Sequence, residues 1–264
     1  MGKGTKLLVN KKRHIFFLAA SISAIIVVGA YLYFSFENKN IHNEKNNELK
    51  AIAELKSSQI VNWNNEIFSN TKIFSQGPFF TNAIIRWLSF KSDVQLKSQI
   101  LKKLSLINSD SLYENILITN TVGEPLLSLK PGKVQIDTTL RKFIEKAVLE
   151  RKIENTDLYY CPTHNEIHLD YISPIINERN EVIATLILRV NPNDYFYPLI
   201  NEWPTPSRTS ETLILRRENG YALYLNELAH QKNTALKLKI PISRTEIPSV
   251  QAVLGRRGIY EGVS

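Results

Sequence analysis

Two histidines four residues apart, His164 and His168, stand near the thiol of Cys161 and the carboxylates of Asp157, Glu166 and Asp170. These residue types could hold a metal ion or move a proton. An HxxxH pair suits zinc when both rings share one helix face and a glutamate follows the first histidine. Here Asn165 follows His164, and Pro162-Thr163-His164-Asn165 is a turn signal between two strand-like runs. The spacing therefore predicts histidines on a surface hairpin. Cys161 is the one cysteine in 264 residues, which excludes an intramolecular disulfide and a cysteine-built metal site. Glu166 and Asp170 share a face of a regular strand, and with Asp157 they read as solvated carboxylates at a sheet edge.

No other catalytic set assembles. Ser207-Arg208-Thr209-Ser210-Glu211 carries hydroxyls and charges, but without a base or oxyanion donors it reads as turn and cap chemistry. His230 lacks the helix context of a phosphoacceptor. There is no Walker loop and no dinucleotide glycine fingerprint. The expectation is a protein with no catalytic residue, no metal and no cofactor, and not an enzyme.

The elements that must position these residues begin with Ile15 to Phe36, which contains no charged residue. As a helix it is roughly 33 Å long, enough to cross a bilayer core of about 30 Å. Lys3, Lys6, Lys11, Lys12 and Arg13 precede it without an acid among them, a bias that keeps the amino end in the cytoplasm. A cleaved secretory signal would have a shorter apolar stretch and small residues where Tyr31 to Phe36 stands. The formal net charge of +8 owes part of its excess to this tail, and the remaining Lys and Arg form no basic stripe. No nucleic-acid motif is present, so nucleic acid is excluded as a partner.

Beyond the anchor, Leu49, Ile52, Ala53, Ile60, Trp63, Ile67 and Phe74 make one apolar stripe, interrupted by Lys56, on a long amphipathic helix. Gly77-Pro78 ends or bends it. Ser92-Asp93-Val94-Gln95 is a capping-box pattern ahead of a second helix with Ile100, Leu101, Leu104 and Ile107. Strands are expected at Leu112 to Thr119 and Leu126 to Leu129, then a helix capped by Asp137. Three more strands follow at Asp157 to Cys161, Glu166 to Ile176 and Glu181 to Val190. Short connections make the neighbours antiparallel, and the last of these strands, apolar on both faces, should be central. Asn193 to Trp203 reads as a short helix. A second sheet is expected from Glu211 to Arg217, Tyr221 to Leu225 and Ala235 to Ile240, with a hairpin at Asn219-Gly220. Ile247 to Leu254 reads as a helix, and Ile259 to Val263 as a strand entering a turn.

This order resembles the extracytoplasmic double-Cache (PAS-like) sensor region of bacterial receptors. ELKAIAELKSSQIVNWNNE (Glu48 to Glu66), EIHLDYISPI (Glu166 to Ile175) and WPTPSRTSETLILRR (Trp203 to Arg217) are similar to the input region of PAS-containing sensor histidine kinases. LNELAHQKNTALKLKIPIS (Leu225 to Ser243) and AVLGRRGIYEGV (Ala252 to Val263) are similar to its membrane-proximal half. The resemblance implies a ligand pocket on the distal sheet beneath the segment Lys130 to Thr156. Its candidate lining residues are Tyr159, His168, Asp170, Tyr171 and Arg189, with Arg141 from the covering helix. The Arg-x-Trp-Tyr signature of amino-acid-sensing members is missing from GKVQIDTTLRKFIEKA, the last strand has no Asp, and Arg86-Trp87 lies in another element.

The expected architecture is α+β: a transmembrane helix, a long amphipathic helix, an antiparallel PAS-like Cache module and a second, incomplete Cache-like module. Residues 1–14 form a basic cytoplasmic tail, 15–36 the signal anchor, 37–203 the long helix with the membrane-distal module, and 204–264 part of the membrane-proximal module. The resemblance implies the sensing input of a histidine-kinase-type receptor in the bacterial inner membrane, single-pass here, the chain stopping before a second membrane helix and the kinase or cyclase output. The partners expected are an unidentified small molecule, the membrane through Ile15 to Phe36, and a second copy through the Leu49/Ile60/Trp63/Ile67 face or its neighbour. The alternative is a membrane-anchored binding or interaction protein without signalling output.

Overall fold

The computed structural model describes residues 3–132, 134–207 and 209–262. The chain divides into two units, Met1–Glu54 and Leu55–Ser264. A single helix, α1 (Lys3–Gln76), supplies the first unit and opens the second. In the first unit the apolar side chains Leu18, Ile25, Tyr31, Phe36 and Leu49 are exposed, whereas Ile52 of the expected stripe is buried. From Ala20 onward, α1 is the one described helix long and apolar enough to cross a membrane.

In the second unit α1 is amphipathic in the way its stripe requires: Trp63 and Ile67 are buried, while Ile60 and Phe74 pack against the same apolar cluster. Each fully buried side chain of this size contributes roughly 1.5–3 kcal/mol. Lys56 does not break the stripe. It is buried, with Nζ donating to the Leu199 carbonyl at 2.6 Å. Gly77 ends α1, where a Cβ would come within 2.8 Å of the Ile73 carbonyl oxygen.

The chain then enters α2 (Pro78–Ser89), a helix the sequence reading did not foresee. Its signals are Pro78 at the first turn, where no amide donor is needed, and Phe80, Ile84 and Trp87 buried on one face. In α3 (Val94–Ile107) the N-cap is Asp93, which accepts from the Leu96 amide at 2.8 Å. The cap thus lies one residue beyond Ser92 of the expected capping box, and the Asp93 carboxylate satisfies a free amide of the first turn.

Six strands form the main sheet: β1 (Asn115–Thr119), β2 (Pro125–Ser128), β3 (Glu154–Asn155), β4 (Tyr159–Cys161), β5 (Glu166–Ile176) and β6 (Val182–Val190). Their order is β2-β1-β6-β5-β3, with β4 also paired to β5. As its apolar parities demand, β6 is central, between β1 and β5, and buried from Ala184 to Val190. One sheet face holds Ile116, Ile118, Tyr171, Leu186 and Leu188 in the cluster shared with Trp63 and Ile67. The other holds Leu117, Ile172 and Ile187 against Leu140, Ile144 and Ala147 of α4 (Thr138–Glu150).

After α5 (Phe196–Asn201), a second sheet runs β7 (Leu215–Glu218), β8 (Tyr221–Tyr224) and β9 (Lys239–Pro241), followed by α6 (Pro248–Val253). Asn219 and Gly220 both have positive φ, 48° and 82°, as a two-residue I′ hairpin requires. The third strand is displaced from Ala235 to Ile240 onto Lys239–Pro241 because Leu236 has φ of 57°, a conformation incompatible with a strand. Ile259 to Gly262 pairs with no strand, correcting the expected closing strand; Val263 lies outside the described residues. Leu223 and Leu225 join the same apolar cluster as Trp63 and Phe196, and the Tyr197 hydroxyl donates to the Leu225 carbonyl at 2.7 Å.

Candidate functional site

Strand alternation sorts the expected site residues. His168, Asp170 and Ile172 of β5 face α4, whereas Tyr171 faces α1 and donates its hydroxyl to Asn64 Oδ1 at 2.6 Å. Register then brings the α4-facing groups together. Asp170 stands opposite Arg189 of β6, and Tyr159 of β4 stands opposite His168. Arg189 Nε reaches Asp170 Oδ1 at 2.9 Å and its Nη2 reaches Oδ2 at 3.1 Å. The Tyr159 hydroxyl is 2.7 Å from Asp170 Oδ2 and 3.1 Å from Oδ2 of Asp137. Asp137 is the N-cap of α4, its Oδ1 accepting the Leu140 amide at 2.9 Å. The cap predicted for the helix therefore also ties the covering segment to the ion pair.

Four of the six candidates, Tyr159, His168, Asp170 and Arg189, converge. Tyr171 lies on the opposite face, and Arg141 of α4 turns its guanidinium to the Val122 carbonyl in the β1–β2 turn. Asp170 is wholly buried, not the solvated edge carboxylate that the sequence suggested, and its partner Arg189 is 3% exposed. Asp157 is exposed and pairs with Arg216 at 3.1 Å. In the linker, Ser207 Oγ accepts the Ser210 amide at 3.1 Å and Glu211 accepts the Ala229 amide at 2.8 Å, the expected turn chemistry; Arg208 lies outside the described residues. His230 is exposed.

Two participants escaped sequence reasoning. Glu114 precedes β1, and its amide donates to the Arg189 carbonyl at 2.8 Å. Its Oε2 lies 3.2 Å from His168 Nδ1. That contact lacks hydrogen-bond geometry, and neither ring nitrogen of the fully buried His168 has a hydrogen-bond partner among the described residues. The second is Cys161, excluded by count from a cysteine-only site, whose Sγ sits 3.1 Å from His164 Nδ1. The His164 and His168 rings are 5.2 Å apart, edge to face. No local signal marks Glu114; the hairpin turn was visible at Pro162 to Asn165, but not what it closes upon.

The electrostatics follow from burial and these partners. The imidazole of His168 holds the Glu114 carboxyl down at about 2, against the opposing effect of burial, with Lys130 and Arg189 assisting. Burial and the adjacent Asp170 charge push the Tyr159 phenol up. Burial works against the Arg189 cation, but Asp170 overcomes it and raises the guanidinium further. Burial pushes the Cys161 thiol up and, with Arg189, pushes His164 down. Beside the cluster is a cleft of about 370 Å³ lined by Tyr113, Glu114, Lys130, Glu166, Asn191 and Asp194. Its size is within the range of small-molecule sites, and Glu114 belongs to both cleft and cluster.

No family model and no curated protein matches the sequence. Solved structures do match the fold. A domain of a Vibrio parahaemolyticus protein assigned to the sensory box/GGDEF family aligns at a TM-score of 0.52 with 14% identity, over 67% of this chain and 70% of that one. The extracellular domain of vpHK1S-Z8, assigned as a histidine kinase, aligns at 0.51 with 15% identity over 68% of each chain. The sensor domain of the V. cholerae histidine kinase DctB aligns at 0.43 with 12% identity, and the match spans 55% of each chain. The α+β fold expected from the sequence, a long helix leading into an antiparallel sheet module, is the fold found.

Proposed function

We propose that this chain is the extracytoplasmic ligand-sensing input of a bacterial membrane receptor, held in the inner membrane by Ile15 to Phe36. One observation carries the reading: a charged cluster buried beneath Lys130 to Thr156 is joined by Glu114 to a cleft of small-molecule size. The fold, shared with sensor domains, supports it. Three carboxylates, Glu114, Glu166 and Asp194, line the cleft with one lysine, Lys130, so the ligand is a small molecule bearing an amine. On this reading residues 204–264 belong to a membrane-proximal module, the signal passes to α1 through the sheet, and an output domain lies elsewhere in the receptor. The role is binding, not catalysis. Trp63 and Ile67 are occupied by the chain's own sheet, which removes them from the expected dimer face. Val61 and Phe68, exposed and seven residues apart on α1, are among the apolar positions left for a second copy, with Leu55 and Ile73.

The test is a thermal-shift screen of the full chain in detergent, with small amines and carboxylates compared in the presence of EDTA. A ligand that binds only the folded state raises the melting temperature increasingly with concentration, and Glu114→Gln should abolish that rise. A flat response to every amine, with the fold intact, would favour the anchored interaction protein instead.

A further inference from the structure

We propose that Cys161, His164 and His168 bind a divalent transition-metal ion of the zinc class at the turn joining β4 to β5, with Glu114 beside His168.

The turn places these residues where the strands cannot separate them. Cys161 is the last residue of β4, paired with Glu166, while His168 stands two positions further along β5. His164 projects from the intervening turn, closed by the Asn165 amide donating to the Cys161 carbonyl at 2.9 Å. One ligand atom from each of Cys161, His164 and His168 lies within 4.8 Å of the others, as do single atoms of Glu114, Glu166 and His168. With metal–sulfur bonds of about 2.3 Å and metal–nitrogen bonds of about 2.0–2.1 Å, tetrahedral ligand atoms sit roughly 3.3–3.6 Å apart. The observed 3.1 Å between Cys161 Sγ and His164 Nδ1, and 3.2 Å between His168 Nδ1 and Glu114 Oε2, are near that separation.

His168 is the independent evidence. A fully buried imidazole whose nitrogens make no hydrogen bond among the described residues carries a desolvation cost that an apolar side chain would avoid. A metal bond at one nitrogen offsets it. One thiolate with two imidazoles is a soft to borderline donor set, suited to zinc over magnesium or calcium. The site shares His168 with the proposed sensing cluster but does not depend on it, since zinc binding needs neither a cleft ligand nor an output.

The experiment uses the full chain in detergent, purified without a histidine tag and stripped with EDTA, then loaded with Zn2+ or Co2+. The expected result is one zinc per chain, and a cobalt complex with tetrahedral d–d bands plus a thiolate-to-cobalt charge-transfer band. Cys161→Ser should remove the charge-transfer band. Exposed His164→Ala should lower zinc affinity by at least about 100-fold, beyond the roughly 10–100-fold typical of outer-shell partners. A wild-type cobalt spectrum without the thiolate band, or equal zinc content in wild type and in a Cys161→Ser, His164→Ala double variant, would overturn the proposal. The wild-type cobalt spectrum decides even where a variant fails to fold. Because the amine screen runs in EDTA, failure of the metal site and failure of the sensing reading are separately visible.

Discussion

Asp170 and Arg189 are directly opposed on β5 and β6 and close a two-point ion pair, Nε to Oδ1 at 2.9 Å and Nη2 to Oδ2 at 3.1 Å, out of contact with solvent. Fork geometry of this kind lets two strands fix each other's register by charge as well as by backbone hydrogen bonds. Asp170→Ala leaves the Arg189 cation buried without its partner and should cost about 3–5 kcal/mol. The double variant Asp170→Leu, Arg189→Met should lose much less, because both desolvation costs disappear together. Urea denaturation of the three chains tests this; a double variant as unstable as the single one would show that the cost is not electrostatic.

Glu114 links acid stability to the same cluster. Its folded-state value is depressed from 4.5 to about 2 by the contact with His168. A depressed carboxylate contributes stability that is complete above its unfolded value and is lost as pH falls through the folded one. The stability difference between wild type and Glu114→Gln should therefore be constant above pH 4.5 and shrink between 4.5 and about 2. Parallel curves throughout that window would remove the contact as its cause.

Lys56 donates to the Leu199 carbonyl at 2.6 Å, in the last turn of α5, where helix carbonyls lack partners within the helix. Lys56→Met keeps most of the aliphatic packing but loses the donor, and should destabilise by roughly 1–3 kcal/mol. Lys56→Ala should cost more, since the packed stem goes too. Equal losses in thermal denaturation of the two variants would place the whole effect in the hydrogen bond.

Asp137 serves two elements, capping α4 and accepting from Tyr159. Asp137→Asn can still cap, so it should cost less than Asp137→Ala, for which the lost cap alone is worth about 0.5–2 kcal/mol. Tyr159→Phe in the Asp137→Ala background should then show a non-additive loss, as expected for residues sharing a hydrogen bond. Strict additivity in the cycle would mean that the Tyr159 hydroxyl is held by Asp170 alone.

The sequence by itself determined the local elements. The apolar run of Ile15 to Phe36, the stripe through Trp63 and Ile67, the Asp137 cap, the Asn219-Gly220 hairpin and the central place of β6 each follow from side-chain periodicity or from one residue's backbone preference. Such signals need only neighbours in the chain. It missed α2, whose short apolar face follows Gly77-Pro78, and it took Lys56 for an interruption because the Leu199 carbonyl lies 143 positions away. The site was partly legible: the parity of β5 places His168 and Asp170 on one face and Tyr171 on the other. Tertiary structure decided the rest. Strand register chose Arg189 for Asp170, the cap of α4 brought Asp137 to Tyr159, and the β4–β5 turn folded Cys161 and His164 over His168 beside Glu114. The physical reason is that charge and ligand geometry act through space over a few ångströms, whereas residues brought that close by a sheet can be tens of positions apart in the chain.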